Sequence, residues 1–269
     1  MNRQWLCGVA LILASAGPVA AASLSPSAYV RATCVGMQDF SESRRQASCA
    51  ESNVLTDTDG TLIPGFSSAE ADRARRQLRA VAAGASIRDA GYNGHEASAL
   101  FKETVTVSGQ WVGNVPVTVS LWLEYRFDGG GDSRMHANLH TTTARYGEGN
   151  RAHIRMRRKG YGHAVLVNAE SNGNFTVPDE GVYPSKSLLI LRVTQMVDRM
   201  TPTMAIRAHL QSYALPNLRS LGSAVSALIS AQGRVVISAP DGLTVTSTPD
   251  QTQDFSVSSR PRVALLHDR

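Results

Sequence analysis

From about residue 104 the side chains alternate between apolar and polar with a period of two. Val115, Val117, Val119, Leu121, Leu123, Tyr125 and Phe127 fall on one side of an extended segment, and Pro116, Thr118, Ser120, Trp122, Glu124 and Arg126 on the other. This predicts a strand with one buried and one wet face. Thr104–Ser108 is expected to pair with it through the turn at Gly109–Asn114. Met135, Ala137 and Leu139 alternate with His136, Asn138 and His140 in a further strand. A hairpin follows, with Arg151, His153, Arg155 and Arg157 on one face and Ala152, Ile154 and Met156 on the other. Its turn is Lys159 to Gly162, into which Arg158 and Lys159 are expected to continue the charge. More strands are expected at Leu188–Thr194, Met204–Leu210, Val225–Ile229 and Val235–Ile237. Pro240-Asp241-Gly242 then turns the chain into Leu243–Thr246.

Many short strands punctuated by Gly and Pro predict an all-β fold, an antiparallel, jelly-roll-like β-sandwich. One segment argues otherwise. Ser67 and Glu70 have the spacing of a capping box, and residues 69–83 are good helix formers ending before Gly84. Local propensity makes this a helix, although arginines at 73, 75, 76 and 79 leave it a poor apolar stripe.

The N-terminus reads as an export signal over residues 1–21. Arg3 supplies the positive start, Leu6–Ala16 an apolar stretch too short to span a bilayer, and Val19-Ala20-Ala21 the small residues of a cleavage site after Ala21 or Ala22. No later apolar run approaches the length of a membrane helix. The expected location is periplasmic or extracellular. With Cys7 in the leader, Cys34 and Cys49 remain, and in an exported chain an even pair is most simply a disulfide. The chain then divides into the leader, a stapled segment over residues 22–66, the sandwich over 67–255 and a tail over 256–269.

The strings "AEADRARRQLRAVAAG" and "EASALFKETVTVSG", the long alternating strand and "SAVSALISAQGRVVISAPDGLTVTST" together resemble a loose group of exported bacterial β-sandwich proteins of unknown function. The resemblance covers about residues 69–248. It implies that the first string is extended, against its local helix propensity, and that the last is a strand, a "PDG" turn and a final strand. It transfers no catalytic residues. The present chain departs from the group in its arginine content.

Charge and motifs narrow the chemistry. The 269 residues carry a formal charge of +5, and of 27 basic residues only Lys102, Lys159 and Lys186 are lysine. Arginines spaced about 6.6 Å apart along a strand can grip successive phosphates or carboxylates of a polymer. Arg151, His153, Arg155, Arg157 and Lys159 are therefore candidates for binding a polyanion or glycan of the cell envelope. Sparse aromatic interleaving points away from nucleic acid. Trp122, on the polar face of its strand, is a candidate sugar platform.

The rival chemistry is enzymatic. Asp57-Thr-Asp59-Gly resembles the nucleophile motif of haloacid-dehalogenase-type phosphatases, with Asp57 as nucleophile, Asp59 as acid/base and Mg²⁺ beside them. That mechanism needs a parallel strand before the motif, which Val54-Leu55 barely supplies. Asp57 and Asp59, or Asp128 and Asp132 around three glycines, are also weak candidates for Ca²⁺, without EF-hand spacing. His136 and His140 would lie about 13 Å apart on a strand, too far to share a metal. The expectation is an exported binding protein without a cofactor.

Overall fold

A computed structural model of the chain describes residues 29–34, 37–41, 46–56, 62–87, 91–143, 149–172, 174–176, 181–215 and 225–247. The leader, Asp57, Asp59 and the 256–269 tail lie outside the described residues. The first strands are β1 (Tyr29–Cys34), β2 (Met37–Ser41), β3 (Gln46–Thr56), β4 (Leu62–Asp72), β5 (Gln77–Ile87) and β6 (Gly91–Asn93). Then come β7 (His95–Ser108), β8 (Asn114–Gly129), β9 (Asp132–Thr143), β10 (Asn150–Arg158), β11 (Ala164–Asn172) and β12 (Asn174–Thr176). The last are β13 (Gly181–Tyr183), β14 (Lys186–Asp198), β15 (Thr203–Leu215), β16 (Val225–Ser238) and β17 (Thr244–Ser247).

These strands form two antiparallel sheets packed face to face, an all-β sandwich. One sheet has nine strands in the order β13-β11-β10-β9-β15-β7-β1-β2, with β17 also on β7. The other has eight, in the order β12-β14-β8-β16-β5-β4-β3, with β6 on β5. From β7 to β9 and again from β14 to β17 the chain crosses between sheets at every connection. Among the described residues no helix is long and apolar enough to cross a membrane.

The alternation read from the sequence is what builds the core. Leu121, Leu123, Tyr125 and Phe127 of β8 point inward with Leu191 and Val193 of β14, opposite Phe101, Met135, Leu139, Ile154, Met156 and Ile206 of the nine-stranded sheet. Each such side chain contributes about 1.5–3 kcal/mol on burial. Tyr125 can be buried because its hydroxyl donates to the Pro184 carbonyl at 2.9 Å. Near β1, β3, β4 and β5 the inward residues are small: Ala32, Ala47, Ala69, Ala71, Ala80 and Ala82. Here Cys34 of β1 and Cys49 of β3 form a disulfide across the two sheets.

Several expectations need correction. Residues 69–83 are not a helix but the end of β4, a turn at 73–76 and the start of β5. Asp72 Oδ1 accepts the Arg75 N–H at 2.9 Å, and Arg76 takes a left-handed φ of 55°. Inward Ala69, Ala71, Leu78, Ala80 and Ala82 keep the period of two, so burial between sheets outweighs helix propensity. Ser67 caps nothing; it is buried and its hydroxyl lies 3.4 Å from His95 Nδ1. The stapled segment is not separate either, since the boundary at 66/67 falls inside β4.

Nor do Thr104–Ser108 and β8 form a hairpin: β7 and β8 belong to opposite sheets. Alternation shows that one face is buried but not which sheet a strand joins. Positive-φ glycines at 109 and 113 allow the chain to arch between them. The two short strands expected at 225–237 are one, β16, passing through Gly233. A Cβ there would stand 3.0 Å from Leu121 Cδ1, so glycine lets the strand lie against β8's large side chains.

Candidate functional site

Outward residues of the nine-stranded sheet meet in rows set by strand register. One row runs Tyr29, Lys102, Arg207, His140, Arg151 over β1, β7, β15, β9 and β10. Two residues further along the strands lie Arg31, Leu100, His209, Asn138 and His153. The next row holds Ser98, Gln211, His136 and Arg155, and the last Glu96, Tyr213, Arg134 and Arg157. Strands lie about 4.8 Å apart and successive rows about 6.6 Å. The result is a plateau of arginine and histidine on one outer surface.

The plateau's electrostatics are those of crowded cations. Burial, aided by Arg155, His153 and Arg134, pushes the His136 imidazole down to about 4. Burial, then Arg207, Arg31, His136 and His153, does the same to His209, again to about 4. His209 Nε2 lies 2.8 Å from the Ser98 hydroxyl. The rings of His136 and His153 meet edge to face at 6.1 Å, and His136 leans on Tyr213 at 5.2 Å. Both histidines at the centre are therefore neutral at pH 7. Lys102, Arg207 and Arg151 share a row without an acidic residue, whereas Glu170 of β11 is the register partner of His153, one row from Arg155.

One corner is neutralised internally. Asp132 accepts from Arg157 Nε at 2.9 Å and from Arg157 Nη2, and Arg134 Nη2 reaches it at 3.2 Å. Arg157 is thus tied down, and the hydrogen bonds to Asp132 raise its already high pKa. Asp128 pairs with Arg126. Among the described residues no three His, Cys, Asp or Glu side chains gather as a metal site, and the Ca²⁺ candidates at 128 and 132 are held by arginines instead.

Of the side chains singled out from the sequence, Arg151, His153, Arg155 and Arg157 do share one outer face. Lys159 is exposed in the turn beyond. Arg158 does not extend the charge: it points inward, is 7% exposed, and donates through Nε to the Gly162 carbonyl at 2.9 Å. His136 and His140 are half-buried on the same plateau. Trp122 is elsewhere. It is 41% exposed on the outer face of the eight-stranded sheet, between Ile190 and Arg234. Asp57 and Asp59 fall between β3 and β4, an antiparallel pair closed at Thr56 and Leu62. The phosphatase motif requires a parallel strand before it.

The sequence left Lys102, Arg134, Arg207 and His209 unassigned. Their signal was present, since Met204, Ile206 and Ala208 alternate with Ala205, Arg207 and His209. What it lacked was register, because β15 lies between β9 and β7 although it follows them by about sixty residues or more. On the plateau Tyr29, Lys102, His140, Thr142 and Arg207 line a depression of about 430 Å³. Compared with known proteins, the chain matches no family model, no curated protein and no solved structure.

Proposed function

We propose that this chain is an exported, non-enzymatic binding protein whose nine-stranded sheet presents its outer face to an anionic glycan or other polyanion of the cell envelope. The observation that carries the reading is the placement of Lys102, Arg207, Arg151 and Arg155 on one sheet face by strand register. Like charges held on a rigid surface repel, and the repulsion is relieved when an anion binds. Guanidinium groups favour phosphate and carboxylate through paired N–H donors. The secretory leader and the cross-sheet disulfide support export.

Heparin resin supplies a polyanion probe. Wild type is expected to be retained at low salt, and an Arg151→Ser/Arg155→Ser variant to elute earlier. Each lost anion contact should lower the slope of log affinity against log salt by about 1. Identical elution of the two proteins would remove the proposal.

A further inference from the structure

The depression beside Arg207 has a more specific character than the plateau around it. Lys102 and His140 flank Arg207 on neighbouring strands, each about 4.8 Å away across the sheet. Lys102, Arg207 and His140, which carry an ammonium, a guanidinium and an imidazole, therefore line one small volume. Burial, followed by the charge of Arg207, pushes the Lys102 ammonium down from its ordinary pKa. His140 is lowered by burial, then by Arg207 and Arg151. The main chain at Gly149 closes the His140 side: a Cβ there would come within 2.5 Å of His140 Nε2 and 2.3 Å of Thr142 Cγ2. Tyr29 stands at the other end of the row.

We propose that this recess is a subsite for a phosphate monoester carried on a sugar-sized group. The inference rests on the reading of the plateau as an anion-binding face and names the group it takes. A phosphate monoester offers three peripheral oxygens and up to two charges, one acceptor each for Lys102, Arg207 and the His140–Thr142 side. A carboxylate has two oxygens and one charge, and leaves one donor unmatched. The volume of about 430 Å³ lies within the range of small-molecule sites and leaves room for the carrier beside the phosphate.

The test is calorimetric titration of the full chain with glucose 6-phosphate, glucuronate and glucose, with the histidine ring resonances followed by NMR. Glucose 6-phosphate is expected to bind saturably and to move His140 but not His163, which is exposed in the β10–β11 turn. Lys102→Met and Arg207→Gln should each weaken it roughly tenfold, glucuronate should bind roughly tenfold more weakly, and glucose should not bind. Arg207→Lys, which keeps the charge, should recover part of the affinity and so separate a lost contact from a damaged fold. Absence of saturable binding by wild type, or binding that leaves His140 unmoved, overturns the proposal. So does binding indifferent to both substitutions.

Phosphatidylcholine vesicles containing phosphatidic acid supply the lipid arm. Vesicle binding displaced by glucose 6-phosphate and lost in Lys102→Met would make a lipid headgroup the source, and a preference for the free sugar phosphate would make it soluble. Heparin retention separates the two levels. If it depends on Arg151 and Arg155 while glucose 6-phosphate fails to bind, the subsite falls and the polyanion face stands. The reverse pattern leaves the subsite and removes the wider face.

Discussion

At the scale of single residues, the histidines at the plateau's centre link its charge to stability. His136 and His209 are held near 4 in the fold but return toward 6.5 when the chain opens. Their neutral-state stability is complete above about 6.5 and is lost as the pH falls toward 4. At pH 5 the pair should cost roughly 2 kcal/mol, allowing for solvent screening, or roughly 5 °C in Tm. His95 and His140 act in the same sense. Glu96 and Glu103, raised above 4.5 by burial, act in the opposite sense at the acid end. In thermal melts at pH 7 and pH 5, a His136→Gln/His209→Gln variant should lose clearly less Tm than wild type; an equal drop would refute the assignment. A second single-residue effect lies at the β4–β5 turn. There Arg76 Nε reaches the buried Glu103 carboxylate at 2.7 Å. Arg76→Met should cost about 2 kcal/mol in urea unfolding, because Arg73 still attracts the Glu103 carboxylate, and adding Glu103→Leu should restore only part of it.

At the scale of elements, the disulfide closes a 15-residue separation and also ties β1 of one sheet to β3 of the other. A Cys34→Ser/Cys49→Ser variant should lose about 3 kcal/mol in denaturant titration. If stability is unchanged, the bridge contributes nothing to the fold. The pair was legible from the cysteine count alone. The large-residue strands were equally legible, because large apolar side chains at every second position from Val115 to Phe127 of β8 and from Leu189 to Val193 of β14 admit little else. The alanine-rich end was not. Ala69, Ala71, Ala80 and Ala82 fit a helix by propensity as well as a strand by period, and only the opposite sheet decides between them. The anionic site was half legible for a related reason. Arg151, His153 and Arg155 lie on one strand and share a face by periodicity, whereas Lys102, Arg207 and His140 meet only through the pairing of β7, β15 and β9.

At the scale of the whole molecule, the sandwich places the basic strand and Trp122, two separate candidates in the sequence, on opposite outer faces. The cationic rows cover the outer face of the nine-stranded sheet. Trp122, with Leu188 and Val236 exposed around it, lies on the outer face of the eight-stranded sheet. Two sheets packed about 10 Å apart, each with its own outward side chains, place these surfaces back to back. No single extended chain can lie flat on both. A polymer gripped by Arg151 and Arg155 should leave Trp122 untouched, so Trp122→Ala should elute from heparin at the wild-type salt concentration. Its partly exposed position should also keep the stability change to about 0.5 kcal/mol. Earlier elution of Trp122→Ala, in a protein with unchanged unfolding, would place the polymer on the tryptophan side and make the charged plateau a bystander. Equal elution, together with the loss in Arg151→Ser/Arg155→Ser, assigns the ligand to one face of the sandwich by its charge.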